Sequence, residues 1–296
     1  MKRPILMLSF AAVLSACETA AATDIQLDII DIPDALRADL ELAAQAWEGC
    51  LVSDVPIRVR VKGIERGPTG YAYQDQVRNL DHLPVKDAWY PTALSNAQAG
   101  RRLNDGYDID VFLQGDYYLE AREAGEMDVV TTMIHELGHG LGVSTSLFTP
   151  WQGEPLTSMG RPNANLDFFD WSFELHALDG TPNLYDTFLA IADGRRVTEF
   201  ANPSLEMTQA IANPTLHFTG KAATAANGGF PVALVPMGAS HRPDASRGPA
   251  PIMANNSGRI ADDADPPRRV PDPVLLGMME DLGWTVTESC KADAAR

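Results

Sequence analysis

Two histidines and a glutamate stand close together in the segment His135-Glu136-Leu137-Gly138-His139. In a helix, residues four positions apart lie on the same face, so the two imidazoles can reach one metal ion. Glu136 lies about 100 degrees around the helix from His135, beside the ion but away from the ligand face. There its carboxylate can accept a proton from water polarised by the metal. The segment therefore predicts a catalytic zinc site with Glu136 as general base.

A catalytic zinc ion needs a third protein ligand and one open position for water. The remaining histidines of the chain are His82, His176, His217 and His241. His82 lies in a predicted loop and His217 in a strand-like run, so we expect structural or surface roles for both. His176 stands in an aromatic-rich segment with Glu174 as a carboxylate alternative, although such a segment is more typical of packing. From the residues alone, His176 and His241 stay open as third ligands.

The segments around His135 and His241 resemble those of the leishmanolysin-like metzincin zinc metalloproteases. The metzincin pattern is H-E-x-x-H-x-x-G-x-x-H. This chain matches its glycine with Gly142 but has Thr145 at the position of its last histidine. In the leishmanolysin-like members, a long insertion separates the zinc helix from the third histidine, which comes shortly before a methionine turn. The resemblance implies that His241 is the third ligand and that Met253 forms the turn.

The family's tryptophan and leucine near this histidine and methionine are Arg242 and Ile252 in this chain. A core side chain is the alternative interpretation of Met253, because methionine fills irregular gaps well. Three further segments are similar to segments of exported bacterial proteins but indicate no chemistry: 185–189, 218–220 and 281–284.

The elements that must position these residues follow from apolar spacing and capping residues. Asp128 is a candidate N-cap for an amphipathic zinc helix, and Gly142 is placed to end it. The stretch 145–207 is predicted to form long loops, with short helices around 185–191. The same criteria predict two more helices, at 34–47 and 274–282, and two strands, at 56–62 and 107–113, with a loop-rich stretch between the strands.

The predicted fold class is α+β, and the resemblance implies a metzincin-like zincin. We expect one metalloprotease domain at 24–285, followed by a tail at 286–296. Its N-terminal lobe, 24–142, would contain a twisted mixed sheet and the central zinc helix. A loop-rich C-terminal lobe, 143–285, would return His241 to the metal, so that the substrate cleft lies between the lobes.

The N-terminus has the features of an export signal. Lys2 and Arg3 precede an apolar run at 5–13 that is too short for a permanent membrane span. The run leads into a lipobox-like sequence, which predicts a signal peptide at 1–16 and a lipid anchor on Cys17. Cleavage around 20–22 is the alternative. Either route predicts an exported protein of the cell envelope or the medium, where Cys50 and Cys290 are candidates for a disulfide.

The chain is acidic, with a formal net charge of −17. This charge argues against nucleic acid and anionic membrane surfaces as partners, and leaves the lipid anchor as the only predicted membrane contact. Asp105, Asp108 and Asp110 lack the spacing of an EF-hand calcium loop, so we expect solvated or strand-edge roles for them.

The predicted function is zinc-dependent endopeptidase activity on protein or peptide substrates, with a zinc-activated water as nucleophile. Two alternatives stay open. One is a zinc hydrolase that cleaves a non-protein amide of the cell envelope. The other is a noncatalytic surface lipoprotein that keeps the zinc fold for binding, against which the intact Glu136 argues.

Overall fold

A computed structural model of the chain describes residues 23–148, 156–160, 180–212, 216–235, 239–243, 250–255, 257–260 and 268–295. The predicted signal peptide, Cys17, Glu174 and His176 lie outside these ranges. Within them, no helix combines the length and the apolar character that a membrane span requires.

The strands are β1 (Ile25–Ile30), β2 (Ile57–Gly63), β3 (Gly70–Gln74), β4 (Gln76–Val77), β5 (Tyr90–Pro91), β6 (Ile109–Leu113), β7 (Leu147–Phe148), β8 (Ser158–Met159), β9 (Leu189–Ala190), β10 (His217–Phe218) and β11 (Val232–Ala233). The α-helices are α1 (Asp34–Glu48), α2 (Thr92–Ala99), α3 (Gly115–Glu123), α4 (Val129–Gly140), α5 (Leu205–Ala212), α6 (Lys221–Ala226), α7 (Pro273–Leu282) and α8 (Glu288–Ala294). Two 3₁₀ helices span Leu184–Phe188 and Val197–Glu199. The fold class is therefore α+β, as predicted.

The largest sheet is mixed and has the strand order β1-β2-β6-β3. Strands β1, β2 and β6 are parallel, with Val61 opposite Val111 in the register, whereas β3 runs antiparallel to β6. The central strands β2 and β6 bury alternate apolar residues completely, which explains why their pattern is visible in the sequence. Within the described residues, β1 and β3 are the two edge strands of this sheet.

Helices α1 and α4 pack against each other and against the sheet. The buried stripe of α1 ends in Trp47, whose indole Nε1 donates a hydrogen bond to Ile134 O of α4 at 3.0 Å. On its other side, α4 lies so close to β6 that a Cβ at Gly140 would overlap Ile109. One cluster of buried apolar residues extends from β1 to α8, so α4 lies inside a continuous core.

Five elements predicted from the sequence are confirmed with shifts of a residue or two at their ends: α1, α4, α7, β2 and β6. The stretch between β2 and β6 is loop-rich, as predicted, but it also contains β3, β4, β5 and α2, which the sequence did not indicate. Of the solvated or strand-edge role expected for Asp108, the solvated alternative was wrong. This side chain is fully buried, and it accepts hydrogen bonds from Arg58 N, Asn96 Nδ2 and Arg102 Nη1.

The C-terminal elements have structural roles that the sequence did not indicate. Helices α6 and α7 pack tightly, and a Cβ at Gly277 would lie 2.7 Å from the Ala223 backbone. Asp281 accepts hydrogen bonds from the amides of Ala222 and Ala223 at 2.9 Å and so caps α6.

Cys50 and Cys290 form the predicted disulfide, which joins the end of α1 to α8.

Candidate metal centre

His135, Glu136 and His139 lie on α4, which is called the motif helix below. The two ends of α4 are formed by the residues predicted for them. Asp128 is the N-cap, and its carboxylate accepts from the Thr131 amide and pairs with Arg269 at 2.9 Å. Leu141 is the C-cap, and Gly142 follows with a φ of 132 degrees, which a residue with a Cβ rarely adopts. The helix therefore ends one residue after His139.

Three histidines of the described residues meet at one point, and they are the predicted set His135, His139 and His241. The Nε2 atom of His139 lies 3.0 Å from that of His135 and 3.3 Å from that of His241. All three candidate ligand atoms lie within 4.8 Å of one another. Nitrogens bound to one tetrahedral zinc ion at about 2.0–2.1 Å would be about 3.3 Å apart. This group could therefore hold a metal ion.

The other ring nitrogens of the two helical histidines bind backbone carbonyls. His135 Nδ1 donates to Ile252 O at 2.6 Å, and His139 Nδ1 donates to Val143 O at 2.7 Å. A carbonyl oxygen can only accept, so each Nδ1 carries the hydrogen and each Nε2 presents a lone pair. These two carbonyls fix the tautomer that a metal ligand needs.

Burial keeps the helical histidines neutral. It lowers the pKa of His135 to about 3, with a further contribution from the neighbouring His241 ring. Burial and the two adjacent imidazoles likewise lower the pKa of His139 well below its usual value. Neutral imidazole is the metal-binding form, so protons do not compete with an ion for these two nitrogens near neutral pH.

Glu136 is buried beside the cluster, at the wall of the same cavity. Burial raises the pKa of its carboxyl to about 8. A cation bound by the histidines would act in the opposite direction and favour the carboxylate. Gly70 of β3 covers this side chain closely, because a Cβ at Gly70 would lie 2.7 Å from Glu136 Oε1 and 3.1 Å from Tyr118 Oη.

Met253 lies in a turn directly beneath the motif helix. Its side chain is fully buried, and a Cβ at Gly138 would lie 2.9 Å from Met253 Sδ. The glycine between the two helical histidines leaves room for this approach. Met253 is thus a core residue at the position that the resemblance implied for the turn methionine, so the two interpretations are compatible.

The three histidines and Glu136 line a cavity of about 650 Å³. Strand β3 forms one wall through Gly70, Tyr71 and Ala72. Asn255, Ser257 and Gly258, from the segment after the turn, also line the cavity. The candidate metal centre is therefore open to a ligand of substantial size.

Two residues that the sequence analysis left without a role hold the loops of the centre. Tyr185 Oη donates to Ala239 O at 3.0 Å, two residues before His241. The buried Asp186 accepts from Thr145 Oγ1 at 2.6 Å and from the Ser146 amide at 3.0 Å, just after the motif helix. Both lie in the segment 185–189, whose resemblance to exported proteins was the only signal available.

The other histidines that the structure describes are not part of the cluster. His82 Nε2 lies 3.0 Å from Ser95 Oγ, and His217 lies in β10. Thr145, which stands where the metzincin pattern has its last histidine, uses its hydroxyl to bind Asp186. The alternative ligands His176 and Glu174 lie outside the described residues.

Comparisons of the chain with protein-family models, with curated proteins and with solved structures gave no match.

Proposed function

We propose that the protein is a zinc metalloendopeptidase with a metzincin-like zincin fold, in which His135, His139 and His241 bind zinc. One observation carries the proposal: three imidazole nitrogens converge in a cavity that also contains the buried carboxylate of Glu136. Three histidines suit the borderline-soft zinc ion and leave a fourth tetrahedral position for water or substrate.

The residues of the site divide the chemistry of amide hydrolysis between them. When bound, zinc would supply Lewis acidity, which polarises the scissile carbonyl and lowers the pKa of water. Glu136 accepts the proton of the attacking water on its carboxylate and donates it to the leaving amine. The Ile252 and Val143 carbonyls keep the helical imidazoles oriented while the proton moves. No covalent intermediate with the protein is needed.

A peptide substrate is favoured by the strand that borders the cavity. Strand β3 is an edge strand among the described residues and contributes Gly70, Tyr71 and Ala72 to the wall. An extended peptide can add to such an edge through backbone hydrogen bonds, whereas a small amide would use only a fraction of the wall. This arrangement supports endopeptidase activity over hydrolysis of a small envelope amide.

The disulfide bears on where the protein works. A bond between Cys50 and Cys290 favours an oxidising compartment, because thiols are kept reduced in the cytosol. It supports the proposal that the protein is exported to the cell envelope or beyond.

The proposal is tested by incubating the protein with casein and a quenched fluorescent peptide library. We expect cleavage that stops on addition of a chelator and returns with zinc. Glu136→Gln should bind zinc normally and lower kcat by about 10²–10⁴, the usual contribution of a general base. Bound zinc without cleavage of any substrate would favour the binding lipoprotein, and cleavage of cell-wall amides alone would favour the other hydrolase.

The third ligand is tested by metal analysis. His241→Ala should lose most of its bound zinc, because a two-histidine site lacks one of the three protein ligands of a catalytic zinc. His217→Ala is the matched control and should keep its zinc, since that residue lies in β10, outside the cluster. Loss of zinc in His176→Ala but not in His241→Ala would reverse our assignment.

A further inference from the structure

Asp272 is a buried acid whose carboxylate joins three separate parts of the chain. Its Oδ1 accepts from the amides of Val274 and Leu275 at 3.1 and 3.2 Å, which caps α7. The same oxygen accepts from Arg242 Nη1 at 2.8 Å, and Oδ2 accepts from the Ile252 amide at 3.1 Å. Capping alone needs only one oxygen, so the contacts to Arg242 and Ile252 call for a separate explanation.

Arg242 connects this carboxylate to the third histidine. It follows His241 directly in the chain, and its amide donates to Met253 O at 2.7 Å. The ion pair is withdrawn from water, with exposed side-chain fractions of 15% for Arg242 and 6% for Asp272. Removing two charges from water is costly, so a helix cap by itself does not account for the pair.

Ile252 connects the same carboxylate to the motif helix. Its amide donates to Asp272, and its carbonyl accepts from His135 Nδ1 at 2.6 Å. The position of this carbonyl sets the orientation of the His135 ring, because the hydrogen bond at Nδ1 fixes the direction of Nε2. The Asp272 side chain therefore holds Arg242, which follows His241 in the chain, and Ile252, whose carbonyl binds His135.

We infer that Asp272 and Arg242 form a positioning pair that fixes His241 and His135 relative to each other and so sets the affinity of the centre for its metal. The inference rests on the proposed metal centre and adds to it two residues that do not touch the ion.

The decisive variant is Asp272→Asn, which keeps one oxygen to cap α7 but loses the charge and the acceptor for Ile252. The control is Asp108→Asn, because Asp108 is also buried, also pairs with an arginine and also accepts from a backbone amide, yet belongs to no element that carries a candidate ligand. Zinc dissociation constants are measured by chelator competition, and the cobalt-substituted proteins are compared by visible absorption. We expect Asp272→Asn to bind zinc about 10–100-fold more weakly, as changes next to metal ligands do, and to change the cobalt spectrum. Asp108→Asn should stay within about threefold of the wild type, well short of that range.

Variants of the arginine keep the inference testable if Asp272→Asn does not fold. Arg242→Lys keeps a positive charge and should retain more affinity than Arg242→Met. The double variant Arg242→Met/Asp272→Asn should lose no more affinity than the weaker-binding of the two single variants, because the two residues act as a unit. Equal zinc affinity of Arg242→Lys and Arg242→Met would overturn the inference, as would equal affinity of the two asparagine variants.

Failure of the proposed function gives a different result. Wild-type protein that binds zinc but cleaves nothing refutes the peptidase and leaves the positioning pair to be judged on affinity. Wild-type protein that binds no zinc refutes the metal centre and the positioning pair together.

Discussion

Gly70 lies so close to Glu136 that any side chain at residue 70 would meet the Glu136 carboxylate. An alanine Cβ there would lie 2.7 Å from Glu136 Oε1, inside normal contact distance. The carboxylate is the flexible end of its side chain, so it would give way before the backbone of β3 does. The lack of a side chain at residue 70 therefore allows the carboxylate of Glu136, the proposed general base, to keep its position.

We therefore predict that Gly70→Ala lowers kcat by about 10–100-fold, because a displacement of about 1 Å in a reacting group can cost about 10²-fold. Zinc affinity should stay near the wild-type value, since none of the three histidines is in contact with the new methyl group. Kinetics with a peptide substrate and chelator competition measure the two quantities. Gly106→Ala is the control, because a Cβ there meets nothing within 4 Å. An unchanged kcat in Gly70→Ala would show that the carboxylate tolerates the displacement.

Residues of the centre differed in how far the sequence could predict them. Spacing alone was enough for His135, Glu136 and His139, because one helix turn places them together. His241 lies 102 residues after His139 and was assigned only through a resemblance, since spacing says nothing about which distant loop returns. Gly70 gave no signal, and Asp272 gave one only as the start of the final helix, because their roles at the centre depend on contacts between elements far apart in the chain.

At the scale of elements, the sequence predicted those that bury a regular apolar pattern. Helix α2 was missed because its buried positions include the polar residues Thr92, Ser95 and Asn96, which disguise the periodicity. Asn96 is buried as a hydrogen-bond donor to Asp108 at 2.9 Å rather than as an apolar contact. Strand β3 was missed because it is short and begins with a glycine, so its conformation depends on pairing with β6.

Two tryptophans hold the motif helix at different places, and they differ in what their loss should cost. Trp284 Nε1 donates to Leu141 O at 2.9 Å, just beyond the last helical hydrogen bonds. Trp47 Nε1 donates to Ile134 O at 3.0 Å, and this carbonyl also belongs to the regular ladder of α4. Only the loss of Trp284 would deprive a buried helix end of its partner.

We predict that Trp284→Phe lowers the free energy of unfolding by about 1–3 kcal/mol more than the lost ring volume alone would, which is the cost of an unsatisfied buried carbonyl. Trp47→Phe removes the same ring volume and serves as the control. Denaturant unfolding gives the free energies, and amide hydrogen exchange should accelerate at 141–143 only in Trp284→Phe. Equal exchange rates at 141–143 in the two variants would contradict this role of Trp284.

At the scale of the whole molecule, the centre requires that the C-terminal part of the chain returns to the helix of the N-terminal part. The His241 segment and the turn at Met253 contact the histidines of α4, Trp284 after α7 binds the C-cap of α4, and the disulfide joins α8 to the end of α1. The resemblance implied the return of His241, and the cysteines suggested the disulfide, but nothing in the sequence indicated the contact of Trp284 with the motif helix. The return of a distant segment depends on many contacts, and each contact leaves little trace in the sequence pattern.

The Cys50–Cys290 disulfide secures this closure, and it links residues separated by 240 positions. A bond that closes so long a loop removes many conformations from the unfolded chain, so we predict that Cys50→Ala/Cys290→Ala lowers the free energy of unfolding by about 2–5 kcal/mol. Zinc affinity should change little, because neither cysteine contacts the metal centre. Denaturant unfolding with and without reductant measures the effect. The wild-type protein should lose stability on reduction, whereas the double variant should not respond, and equal stability of the two proteins without reductant would show that the core alone holds the C-terminal helices in place.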